Sequence, residues 1–160
     1  MANFKSSFDQ GLKAAASAAA VHAEIDSVFS EMNTQISEAS DGKINIFRET
    51  RYDHGFNSLI GMGIFSGATN KQSAKIEKTT YIVARNPLAQ GSNKGDLGTV
   101  HTHKDGYPCE IKIGDDRYIC EDKPALEKIL SVMLSDTDVG KTLRKLINLP
   151  SSDEETVPPE

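Results

Sequence analysis

The chain has 160 residues, with 18 basic against 23 acidic side chains and a formal net charge of −5. That length suits one domain with a real core and leaves no room for a second of ordinary size, and the acidic balance argues against a nucleic-acid partner, whose phosphates need a basic surface. No apolar run reaches the roughly 18 residues a membrane helix needs, Asp9 and Gln10 fall where a signal peptide would be apolar, and two cysteines with no tryptophan fit a cytoplasmic chain better than a disulfide-stapled one.

From Phe4 to about Ala39 a small or apolar residue recurs with 4-3-4-3 spacing: Phe4, Phe8, Gly11, Ala15, Ala18, His22, Ile25, Phe29, Met32, Ile36, Ala39. Such spacing over about five heptads marks one helix packed lengthwise against another. At ~1.5 Å per residue this helix would be roughly 50 Å long, whereas a compact chain of this size has a radius of gyration of about 15 Å. The seam therefore predicts a partner outside the subunit, a second copy, with Phe8, Ala15, Ala18, His22, Ile25, Phe29, Met32 and Ile36 at the dimer interface. His22 reads as an interface histidine rather than a switch or a ligand. Gly11, costing about 1 kcal/mol relative to Ala, is where the helix would break if it broke at all, and Asp41-Gly42 supplies its end, with Gly in the left-handed conformation.

Beyond Gly42 the period falls to two. Lys43–Thr50 reads as a strand and Arg51–Gly55 as a polar turn. Phe56–Gly67 reads as a strand weakened by Gly61, Gly63 and Gly67, since Ser66 spoils a Gly-x-Gly-x-x-Gly nucleotide loop. Ser73–Arg85, rich in β-branched and aromatic residues, is a further strand stopped by Asn86-Pro87. Leu88–Gly95 reads as an exposed, mobile loop.

Two hairpins follow. Asp105-Gly106 predicts a type I′ turn that sets His103 opposite Pro108, Thr102 opposite Cys109, His101 opposite Glu110 and Val100 opposite Ile111. Gly114-Asp115 predicts a type II′ turn that sets Lys112 opposite Arg117, Ile111 opposite Tyr118 and Cys109 opposite Cys120. Both put Val100, Thr102, Cys109, Ile111, Ile113, Tyr118 and Cys120 on the core face, and His101, His103, Glu110, Lys112 and Arg117 on the other. The cysteines would be buried neighbours about 5.5 Å apart at Cα, near enough to bridge, with free thiols expected in the cytoplasm.

Asp122 and Pro124 open a helix with the stripe Leu126, Ile129, Leu130, Met133. Ser135, with Asp138 three residues on, resembles a capping box for a last helix with Val139, Leu143, Leu146 and Ile147 inward. Residues 151–160, with four acids, two prolines and no base, read as a disordered acidic tail.

The outer strip is where chemistry would lie. His101 and His103 share a strand face with Glu110 opposite His101, so two imidazoles and a carboxylate could hold Zn²⁺ with a fourth position for water. A sheet face without helices is also expected to be polar in alternation. Asp96 followed by Glu110-Ile111-Lys112 gives the order Asp…Glu-x-Lys, which resembles the metal-dependent PD-(D/E)xK nucleases over residues 96–112. The resemblance implies that Asp96 and Glu110 bind Mg²⁺ and that Lys112 positions or activates the attacking water; it also implies a phosphate-binding surface, for which the chain offers only Lys141, Arg144 and Lys145, near a helix C-terminus that favours cations in any case. No Ser-His-Asp or Cys-His arrangement assembles by local spacing.

The expected fold is α+β: a long N-terminal helix (4–40), an antiparallel meander of about five or six strands, and two short C-terminal helices, in one domain over residues 1–150. The expected function is that of a non-catalytic, protein-binding accessory or inhibitor protein, a homodimer acting on a basic protein partner and needing no cofactor. The alternative is a metal-dependent nuclease or hydrolase using Asp96, Glu110 and Lys112, with His101 and His103, and a divalent Mg or Zn ion.

Overall fold

A computed structural model describes residues 1–53 and 77–152. The fold is α+β: helix α1 (Phe4–Ala39), strands β1 (Asn45–Asp53), β2 (Glu77–Arg85), β3 (Lys94–His103), β4 (Gly106–Ile113) and β5 (Asp116–Cys120), then helices α2 (Lys123–Ser135) and α3 (Thr137–Ile147). The strands form one antiparallel sheet in the order β1-β2-β3-β4-β5. No helix among the described residues is long and apolar enough to cross a membrane.

α1 is a single helix of 36 residues, and Gly11 does not interrupt it. The Asn3 side chain accepts from the Ser6 amide at 3.1 Å, satisfying one of the N-terminal donors a helix leaves open. At the far end Asp41 and Gly42 both take positive φ, +52° and +76°, and the Gly42 amide donates back to the Ser37 carbonyl at 2.8 Å, a left-handed termination of the kind glycine permits.

The core lies between one sheet face and the helices. Ile46, Ile82, Val100 and Ile111 of the sheet meet Ile25, Val28 and Phe29 of α1 and Leu126, Leu130 and Met133 of α2. Core burial alternates along β4, with Cys109, Ile111 and Ile113 buried and Lys112 exposed, as a half-covered antiparallel sheet requires.

Several elements depart from expectation. β1 runs on to Asp53 instead of turning at Arg51, because the polar residues Glu49, Arg51 and Asp53 occupy the solvent face of a continuing strand paired with β2. The segment 88–93 is tied down: Asn86 is buried, its side chain donates to the Leu146 carbonyl at 2.8 Å and accepts from the Leu88 amide at 3.0 Å, and Asn93 donates to the carbonyls of Asn86 and Ala89. Asp136, not Ser135, caps α3, accepting from the amides of Asp138 and Val139 at 2.9 and 3.1 Å. Ser135 still belongs to α2 and bonds the Ser131 carbonyl. Ile147, expected inward, is among the exposed apolar residues. Ser151, assigned to the tail, bridges to Ala89, and the Ser152 amide donates to the Leu88 carbonyl at 2.9 Å. The strand expected at Phe56–Gly67 and the remainder of the tail lie outside the described residues.

The second hairpin has the expected register, including Cys109 opposite Cys120, with Gly114 at φ +58°. The first matches at Val100, His101 and Thr102, but His103 pairs with Gly106 rather than Pro108. The reason is parity. In an antiparallel strand both the N–H and the C=O of a residue point to the same neighbour. A two-residue turn at Gly114-Asp115 commits Cys109 and Ile111 to β5, whereas a two-residue turn at Asp105-Gly106 would commit the same residues to β3. Both cannot hold. The chain resolves this with a turn at Lys104-Asp105, Gly106 at φ +99°, and an irregularity that absorbs Tyr107 and Pro108. Glycine at positive φ beside a bulge is the residue this geometry demands.

Candidate functional site

The structure splits the long seam in two. Ile25 and Phe29, expected between copies, are 1% and 5% exposed within the subunit's own core, and Met32 and Ile36 are half-buried against it. Sequence spacing does not say which partner fills a seam, and here the sheet takes its C-terminal half. His22 marks the crossing point: its Nε2–H donates to the Lys104 carbonyl at 2.9 Å, pinning α1 to the β3–β4 turn.

Among the described residues, the N-terminal half of α1 has no such cover. Phe4, Phe8 and Leu12 are 81%, 65% and 56% exposed, Ala15 is exposed and Ala18 half-buried. Phe4, Phe8 and Leu12 follow one another at i, i+4, so they form one stripe on the rod, with Gly11, Ala15 and Ala19 beside it.

The outer sheet face carries the other candidate residues. His101 lies opposite Glu110, as expected, but the Glu110 carboxylate is engaged by Arg117 Nη2 at 2.5 Å. His103 turns to its own loop, where Nδ1 accepts from the Asp105 amide at 3.2 Å and stands 3.6 Å from the Asp105 carboxylate. Asp96 sits five residues before His101 on β3, roughly 16 Å along the strand, and does not join Glu110. Lys112 faces Thr99 instead. Among the described residues, no three His, Cys, Asp or Glu side chains converge as metal ligands.

Asp96 belongs instead to an ion network that the sequence reading missed. Arg51 grips it with two hydrogen bonds of 2.8 and 2.9 Å, also donates to Glu49 at 2.8 and 3.1 Å, and stacks on the Tyr81 ring at 4.3 Å. Lys94 donates to Glu49 at 2.9 Å and lies over Phe47. The hydrogen bonds to Asp96 and Glu49 raise the pKa of Arg51 above its ordinary value, and those from Lys94 and Arg51 lower that of Glu49. The signal was present as the alternation Phe47-Glu49-Arg51. It stayed silent because the charged partners Lys94 and Asp96 lie on β3, beyond β2 and more than forty positions away.

Two further recesses bear on binding. A groove of about 730 Å³ passes Arg48, Thr50, Lys78, Thr80 and Thr102, where Arg48 is already paired with Asp26 and Thr50 and Thr80 share a 3.0 Å hydrogen bond. A notch of about 440 Å³ lies beside β5, between that strand and α2. Cys109 and Cys120 are free, fully buried thiols, which removes them as accessible nucleophiles.

Comparison with known families, with curated proteins and with solved structures gives no match for this chain, so the functional reading rests on its geometry.

Proposed function

We propose that this protein is a non-catalytic, protein-binding accessory or inhibitor that acts as a homodimer on a basic protein partner. The observation that carries the reading is the bare apolar stripe Phe4, Phe8 and Leu12 on a helix that leaves its own sheet behind. In proteins helices are held chiefly by packing of an apolar face. A second copy suits this half because Phe4 and Phe8 lie on the 4-3-4-3 seam that continues through Gly11, Ala15 and Ala18, a spacing that is self-complementary, and those small residues let two backbones approach closely. The net charge of −5 favours a basic partner for the assembled surface. The outer sheet face supports the same role: its carboxylates are held by arginine and lysine rather than turned toward a common point where a metal or a reacting atom would sit.

Sedimentation of wild type and Phe8→Asp tests the assembly. The expected result is a dimer for wild type and a folded monomer for the variant, and a wild-type monomer overturns the dimer. Thermal unfolding with Mg²⁺, Mn²⁺ and Zn²⁺ tests the rest. A melting temperature unmoved by every metal is expected, whereas stabilisation lost in Glu110→Ala and His101→Ala would establish the metal-dependent enzyme instead. Retention of basic proteins from the parent cell extract at low salt, and their release at high salt, is the expected sign of the partner class.

A further inference from the structure

β5 closes the sheet, pairing with β4 on one side and, among the described residues, with no strand on the other. The two-residue turn at Gly114-Asp115 makes Ile113 and Asp116 the first hydrogen-bonded pair. Asp116, Tyr118 and Cys120 therefore point their amides and carbonyls at β4, while Arg117 and Ile119 point theirs outward. Two donors and two acceptors stand along this edge at a repeat of about 7 Å, the spacing of an extended chain. The usual defences of an edge are weak here. β5 holds no proline and no lysine, Ile119 is 52% exposed, and the one charged side chain on its outer face, Arg117, is drawn back toward Glu110 on β4.

Directly beneath the edge, on the helix side, lies the 440 Å³ notch between β5 and α2. Ile113, Tyr118 and Val132 give it apolar walls, and Asp116, Lys128 and Asp136 stand around it, two acids to one base. A strand added to β5 alternates its side chains across the sheet. Those on the helix side enter the notch, and those on the outer side pass over Ile119.

We infer that the β5 edge receives an extended segment of the partner protein as an added strand, with an aliphatic side chain in the notch and a lysine or arginine beside Asp116 and Asp136. Backbone pairing supplies the affinity of such contacts and the pocket for alternate side chains supplies the choice of sequence. A second copy is the poorer occupant, because its own Asp116 would enter surroundings that already hold two carboxylates. The inference rests on the protein-binding reading and names its recognition site, but it is independent of the helix dimer.

The probe is a synthetic, end-blocked heptapeptide of alternating valine and threonine with lysine at both ends, titrated into the full-length protein and followed by amide NMR. Shifts centred on Arg117, Ile119 and Val132, with slowed hydrogen exchange at the Arg117 and Ile119 amides, are the expected result. Ile119→Pro deletes one outward donor and leaves every β4–β5 hydrogen bond in place, so binding should fall about tenfold, the worth of one hydrogen bond, without loss of the folded spectrum. Val132→Arg, which fills and charges the notch, should weaken binding to a similar degree, and provides the test if the proline variant does not fold. A version of the peptide with glutamate in place of lysine should bind more weakly than the original. Shifts confined to another surface overturn the edge assignment and leave the wider reading standing. Absence of any shift, or unchanged binding in both variants, overturns it as well. The wider reading fails through separate measurements, by metal stabilisation lost in Glu110→Ala and His101→Ala.

Discussion

The Ile46 amide donates to the Asn33 side-chain oxygen at 2.7 Å, so one polar residue of α1 caps the outer edge of β1. Ile46 is buried, and its N–H points away from β2, where among the described residues no strand stands to receive it. Asn33 thereby fixes the helix against the sheet and quiets part of an edge at the same time. Asn33→Ala leaves that donor unpaired, for an expected loss of about 1–3 kcal/mol. Urea unfolding should register the loss, and exchange of the Ile46 amide should quicken. An unchanged midpoint would mean that water replaces Asn33 at no cost.

The two halves of α1 should answer mutation differently. Phe29→Ala removes a ring buried in the core, with Arg48 stacked on it at 4.5 Å, and should cost about 3–5 kcal/mol. Phe8→Ala removes a ring that is 65% exposed on the subunit. Its cost should appear only as weaker self-association, so the melting temperature of dilute protein should stay near that of wild type. Equal losses at both positions would show that Phe8 is buried in the subunit after all.

Gly106 is expected to tolerate no side chain. Its φ of +99° is strained for any residue with a Cβ, and a Cβ there would run into the Val21 side chain on α1. Gly106→Ala should therefore push α1 off the β3–β4 turn, break the His22–Lys104 bond and lower the melting temperature by several degrees. Gly114→Ala, also at positive φ but facing open space, should cost clearly less. Reversal of that order would refute the packing argument.

The buried thiols set an alkaline limit. Burial pushes Cys120 from an ordinary value near 9 up to about 12 and raises Cys109 in the same direction. Burial likewise lifts Tyr107 to about 12, and among the described residues its hydroxyl has no hydrogen-bond partner. Between the ordinary thiol pKa and about 12 the folded chain holds protons that the unfolded chain has released. Stability should therefore be intact below pH 9 and fall as pH rises, by at most about 1.4 kcal/mol per unit for each group. Replacing both cysteines with alanine should flatten the slope. Thiol reagents at pH 8 should label neither cysteine until urea unfolds the chain, and rapid labelling of the native protein would contradict this burial.

The reach of sequence reading can be judged at particular residues. The second hairpin was legible because Gly114-Asp115 and the alternation from Cys109 to Cys120 are local facts that agree with each other. The first was legible only to Thr102, since the two turns place incompatible hydrogen-bonding demands on β4, and a conflict of that kind shows only when three strands are considered together. The outer strip is legible by face and in its local pairs, His101 opposite Glu110 and Lys112 opposite Arg117, but not in its charge partners. Asp96 meets Arg51 and Glu110 meets Arg117, whereas order along the chain groups Asp96 with Glu110 and Lys112.

Local order determined what the chain makes: an unbroken 36-residue helix, strands with alternating faces, and C-terminal helices with apolar stripes, because propensity, period and caps act over a few residues. Tertiary structure decided what each face touches. The heptad seam carries no information about whether a sheet or another helix lies across it, so only the assembled sheet could claim Ile25 and Phe29 and leave Phe4, Phe8 and Leu12 in water.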